Sequence, residues 1–250
     1  MNLNQKTVVR FTAWSAILGG VLAYLNVALV VSVTGEDTDL IFHGATMLTL
    51  PTETRDLFRW GMLADILGFY LPVLVIGGYL WRTFRDGAGA LGDMAALAIF
   101  LYVVLGVAGA AMQQAVLHPL ARLHAGGDDS VKAATEAAWT AVVYAAQKGL
   151  WWCEGPIVLF WGLVVGGQLR EAGWNRWFLL LLKVNGVCFG LFFVFGFFPE
   201  RGALTELSET VVVLLFPLWM LLFGWQLLRG PAALPASMEA PIANKKGGTT

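Results

Sequence analysis

Charge and cysteine are what this sequence has least of. Charged residues make up 13% of its 250 positions, about half of the roughly 25% usual in soluble domains. That is too few to wrap a water-soluble fold. The formal net charge is −1, which excludes the basic footprint of a nucleic-acid binder. A polybasic cluster for anionic headgroups is missing too. The two cysteines, Cys153 and Cys188, sit in apolar stretches with no C-x-x-C spacing, so they read as small packing residues. Three histidines occur, His43, His118 and His124, none at i, i+3 or i+4 from another. The H-E-x-x-H zinc pattern is therefore absent, and no metal site is expected. Haem held between two histidines would need ligands inside the apolar runs, which have none. There is no P-loop, G-x-G-x-x-G or G-x-S-x-G. The GGDDS stretch at Gly126 to Ser130 stands without a second Asp-rich repeat. No motif names a cofactor.

What the chain does have is apolar length. Hydrophobic residues are 58% of the total, with 11 Trp and 16 Phe, an aromatic load that suits lipid-facing surfaces and interfacial belts. A helix needs roughly 20 apolar residues to cross a hydrocarbon core about 30 Å thick. Six runs qualify, at about 11–33, 60–81, 94–117, 149–169, 177–198 and 210–228. The expected fold is an all-α integral membrane protein, a six-transmembrane-helix bundle forming a single domain over 1–229. Residues 131–147 are Ala-rich and helical in character but short for a span. They read as an interfacial helix or an outward extension of the fourth helix, and would make a seventh helix if they crossed. The stretch 230–250 is rich in Pro, Ala and Gly and reads as a disordered cytoplasmic tail.

Lys and Arg set the orientation. With the N-terminus inside, nine fall on the cytoplasmic side (Lys6, Arg10, Arg82, Arg85, Arg170, Arg176, Arg229, Lys245, Lys246) and five outside (Arg55, Arg59, Arg122, Lys132, Arg201). The expectation is N-in/C-in, multi-pass, in the cell's inner (plasma) membrane. The surroundings are then the lipid bilayer, with a membrane protein partner or a second copy as further neighbour and no nucleic acid.

The three helices that would run inward share a plan. The second reads Asp65, Pro72, Gly77, Gly78, Arg82; the fourth reads Glu154, Pro156, Gly166, Gly167, Arg170; the sixth reads Glu209, Pro217, Gly224, Arg229. Three tandem helical hairpins would give this pattern. So would the positive-inside rule together with the general abundance of Pro and Gly in membrane helices.

Ionisable groups in apolar spans are costly and mark functional sites by default. At 1.5 Å per residue, Asp65 lies about 26 Å from Arg82 and Glu154 about 24 Å from Arg170. Both then sit a few Å below the outer boundary. Gln114 and His118, four apart, share a helix face, and Lys148 lies at a similar depth. One reading is a polar pocket open to the outside, lined by Asp65, Gln114, His118, Lys148 and Glu154, that binds or moves a small solute or ion. The plainer reading pairs these groups with one another, Glu154 with Lys148 or Arg59 for example, simply to hold helix ends. Two rival functions are a membrane-embedded enzyme acting on a lipid or isoprenoid, with one acid as proton donor, and a non-catalytic subunit of a membrane complex. Lys183, further in, reads as a snorkelling lysine, and Asn26 and Asn185 as interhelical hydrogen-bond donors.

Overall fold

The computed structural model describes residues 3–35 and 37–229; the expected tail at 230–250 lies outside them. Among the described residues the fold is all-helical with no strand. The elements are α1 (Leu3–Thr34), a short 3-10 turn (Thr38–Phe42), α2 (Gly44–Thr49), α3 (Thr52–Asp65), a π turn (Ile66–Tyr70), α4 (Leu71–Gly126), α5 (Asp129–Tyr144), a second π turn (Ala145–Leu150), α6 (Glu154–Glu171), α7 (Arg176–Phe195), a 3-10 turn (Pro199–Arg201) and α8 (Gly202–Arg229).

Five helical stretches among the described residues are long and apolar enough to cross a membrane: Gln5–Thr34, Thr52–Gly126, Asp129–Glu171, Arg176–Phe195 and Gly202–Arg229. Their outward faces carry large apolar side chains such as Leu97, Trp177 and Phe11, each more than 60% exposed. Apolar groups at that density are unfavourable in water and at home in lipid. The helices are those of a multi-pass membrane protein.

The longest stretch, Thr52–Gly126, has 75 residues, far more than the roughly 20 a crossing needs. It is not straight. Gly89 has φ 53° and ψ −141°, a backbone conformation essentially reserved for glycine. On either side of it the chain meets itself. Trp81 Nε1 donates to Asp93 Oδ1 at 2.8 Å, and Gly77 faces Ile99. The Tyr102 hydroxyl donates to the Phe69 carbonyl at 3.3 Å. Residues twelve apart in one straight helix would be about 18 Å apart. The stretch therefore folds back into two antiparallel arms, ending and beginning at Gly89.

A second reversal follows at Gly127 and Asp128. The Asp128 carboxylate caps α5, accepting from the Ser130 hydroxyl at 2.7 Å and from the Ser130 and Val131 N–H groups at 3.0 Å. The Ser130 hydroxyl, aided by those N–H groups, holds this carboxyl below its ordinary value. From there α5 returns along the second arm of α4. His124 Nε2 lies 2.8 Å from Glu136 Oε1, Gln147 Nε2 donates to Gln113 Oε1 at 3.1 Å, and Trp151 Nε1 donates to the Gly106 carbonyl at 3.2 Å. Further along, α6 packs on α7, α7 on α8, and α8 closes the ring on α1.

The centre of the ring is filled by aromatics. Trp219 stacks on Phe178, Phe216 and Phe223, and meets Trp161 edge-on. A second core, around Phe58, Leu117, Trp139 and Val143, lies where α2, α3, α5 and the second arm of α4 come together. This layer exists because lengths are unequal. The 20 residues of α7 span about 30 Å, one bilayer thickness, whereas 43 residues run from α5 through α6. Trp139 ties the layer together by donating to the Ile41 carbonyl at 2.8 Å.

Candidate buried dicarboxylate site

Asp65 is the last residue of α3, and the π turn begins immediately after it. In an α-helix, residues five apart point about 140° away from each other. A π turn closes its hydrogen bond on the fifth residue instead, as the Leu71 N–H does here on the Ile66 carbonyl. Asp65 and Tyr70 are thereby brought toward one face. The Tyr70 ring lies 5.1 Å from that of Tyr102, centroid to centroid. Gly106 makes the room, since a Cβ there would run into the Tyr70 ring.

Glu154 opens α6, just beyond the second π turn and the irregular residues 151–153. Its direction is set by its neighbours. Gln147 and Trp151 are anchored on the second arm of α4. Trp152 stacks on Phe193 at 4.2 Å and donates to the Phe193 carbonyl at 2.9 Å. With one face of the chain held by α4 and another by α7, Glu154 turns into the bundle, where it is 4% exposed; Asp65 is 6% exposed.

The two acids belong to one cluster. Tyr70, Asp65 and Glu154 are close enough to feel one another's charge. Tyr102 faces both acids. Asp65 Oδ2 and Glu154 Oε1 have no hydrogen-bond partner among the described residues. No Lys, Arg or His among those residues pairs with either acid.

The bases expected nearby are committed elsewhere. Arg59 lies 3.6 Å from Asp56. The Lys148 ammonium sits 5.2 Å above the Phe42 ring and faces Glu209. His118 Nε2 lies 3.1 Å from Asp56 Oδ1, and Gln114 is half-buried. Of the five residues read from the sequence, the structure brings Asp65 and Glu154 together. It sets Lys148 and His118 against other partners. The fully buried amide is Gln113, not Gln114; it donates to the Gly109 carbonyl at 3.2 Å and accepts from Gln147. Asn26 bridges α1 and α3 through the Gly61 carbonyl at 2.9 Å, whereas Asn185 donates within its own helix, to Leu181.

Sequence reasoning missed Tyr70, Tyr102 and Gly106. A tyrosine among 58% hydrophobic residues carries no signal, and an α-helical period turns Tyr70 away from Asp65. Among the described residues no group of three or more His, Cys, Asp or Glu gathers as a metal would require. A shallow cleft lies near the Gly89 turn, between Trp81, Arg85, Trp161 and Gln168. No known protein family, curated protein or solved structure matches the chain.

Proposed function

We propose that this protein crosses the inner (plasma) membrane six times with both termini in the cytoplasm, and binds or moves a small ion or solute at the Asp65–Glu154 centre, reached from the outside. The six crossings would be α1, the two arms meeting at Gly89, α5 continued into α6, α7 and α8. The Lys and Arg distribution supports the orientation.

One observation carries the functional reading: two carboxyl groups from different helices are buried within reach of each other's charge, with no cation paired with either among the described residues. Two uncompensated carboxylates in an apolar interior cost several kcal/mol. Something positive must offset that cost, and the protein's own bases are turned elsewhere. Two acids kept solely to hold helix ends would have been paired with Lys148 or Arg59. A centre that exchanges a cationic guest needs them unpaired.

The test is uptake into proteoliposomes holding the purified protein, scanning protons, Na⁺ and K⁺. Wild type is expected to move at least one of them. Asp65→Asn and Glu154→Gln, which keep shape and remove charge, are expected to lose that movement while keeping wild-type helicity and thermal stability. Full uptake by both variants would remove the reading. A Glu154→Gln protein that never accumulates would return the acids to a structural role.

A further inference from the structure

We infer that the guest of this centre is the proton, and that the Tyr70 hydroxyl is the bridge over which it passes between Asp65 and Glu154. The inference rests on the proposed role of the two acids and names their ligand.

Ligand supply is the first argument. A hard cation such as Ca²⁺ or Mg²⁺ asks for six or more oxygens at fixed distances. The titratable groups facing the acids are Tyr70 on the same arm as Asp65, Tyr102 on the second arm of α4, and Cys153 beside Glu154. The Phe69 carbonyl already accepts from Tyr102. On the α7 and α8 side the neighbours of Tyr102 are the rings of Phe189 and Phe216, which offer no lone pairs. A proton needs a single oxygen. Each acid holds one buried oxygen with no partner among the described residues, Asp65 Oδ2 and Glu154 Oε1.

The second argument is the bridge. A phenol hydroxyl donates one hydrogen bond and accepts others. Tyr70 lies within electrostatic reach of both Glu154 and Asp65. In the transfer, the Asp65 O–H bond breaks and its proton goes to the Tyr70 oxygen. As it arrives, the Tyr70 O–H bond breaks and that proton joins a Glu154 oxygen. Asp65 is left as the carboxylate, Tyr70 is again a neutral phenol, and Glu154 is the neutral acid. One negative charge is present throughout, and nothing is oxidised or reduced. The π turn that swings Tyr70 toward the Asp65 side and the missing side chain at Gly106 both serve this placement.

Two measurements on the full-length protein test it. In nanodiscs, the infrared carboxylic C=O band is followed against pH in choline, Na⁺, K⁺, Mg²⁺ and Ca²⁺ chlorides. A titrating band with the same midpoint in every salt, diminished in Asp65→Asn and in Glu154→Gln, is expected. In proteoliposomes holding choline chloride and trace K⁺ with valinomycin, a proton flux driven by the imposed potential is expected. Tyr70→Phe should lose that flux while keeping both carboxyl bands. A midpoint that moves with metal concentration overturns the proton and leaves the binding centre standing. No band from either acid, with spectra indifferent to pH and salt, overturns the centre itself. Titration without flux in the wild type, or undiminished flux in Tyr70→Phe, overturns the bridge.

Discussion

Single residues decide this site through the space they leave as much as through the groups they carry. Gly106 carries no functional group, yet its missing Cβ is where the Tyr70 ring lies. Gly106→Ala is therefore expected to displace Tyr70, with a packing cost of about 1–3 kcal/mol, and to abolish the proton flux while keeping both carboxyl bands, even though the hydroxyl remains. Gly78 is the control, because nothing within 4 Å would meet its Cβ. Gly78→Ala should keep the flux and be neutral or slightly stabilising, since alanine favours the helix by up to about 1 kcal/mol. Thermal unfolding and the proteoliposome proton flux, run on both variants, read the two effects separately; full flux in Gly106→Ala would show that Tyr70 is not held by this contact. The acids themselves were legible in the sequence, because a carboxylate in an apolar run stands out. Their companions were not. Counting residues gives depth along a helix, so Lys148 and His118 read as neighbours of Glu154. Depth says nothing about azimuth, and azimuth sends Lys148 to Phe42 and Glu209, and His118 to Asp56.

At the scale of elements, the apolar runs were legible and their limits were not. Hydropathy marks only the part of a helix that resembles lipid. Hydropathy starts the first run at about 11 and the last at 210, whereas α1 begins at Leu3 and α8 at Gly202. The added turns carry Lys6, Arg10, Glu206 and Glu209, which a polar layer can hold and a hydropathy window rejects. The stretch 131–147 hid its π turn for a different reason: one extra residue per turn changes no composition, only direction. The reversal near Arg85 was legible as the break between the runs at 60–81 and 94–117, but its form was concealed, since the chain stays helical on both sides and a single glycine, Gly89, makes the bend. Gly89→Ala is expected to cost about 1–3 kcal/mol, because its φ and ψ lie where a side chain is strained. Gly87→Ala, two residues away in open space and without a positive φ, should not destabilise. Chemical denaturation in detergent reads both, and an unaffected Gly89→Ala protein would mean that the arms are held by Trp81, Asp93 and their neighbours alone.

For the whole molecule, the reversal at Gly89 decides parity. If Thr52–Gly126 crossed once, the chain would have an odd number of crossings and its ends would face opposite compartments. In the proposed topology, two arms make the number even and return Arg229 to the side of Leu3. The same proposal puts the turn at Gly173 on the Gly89 side, and the loop at Asp128 on the side of the second core. Functional direction depends on this, because Asp65 and Glu154 lie nearer the second core than the Gly89 turn along their helices. In a Cys153→Ser, Cys188→Ser background, single cysteines at the exposed positions Ala133, Asp86 and Glu171 separate the possibilities. Ala133→Cys is expected to react with a membrane-impermeant maleimide on intact cells. Asp86→Cys and Glu171→Cys should react only after permeabilisation. The opposite pattern would invert the protein and open the acids toward the cytoplasm. Asp86→Cys and Ala133→Cys reacting from the same side would mean that the second arm does not cross, leaving the dicarboxylate without the membrane on both sides that ion movement requires.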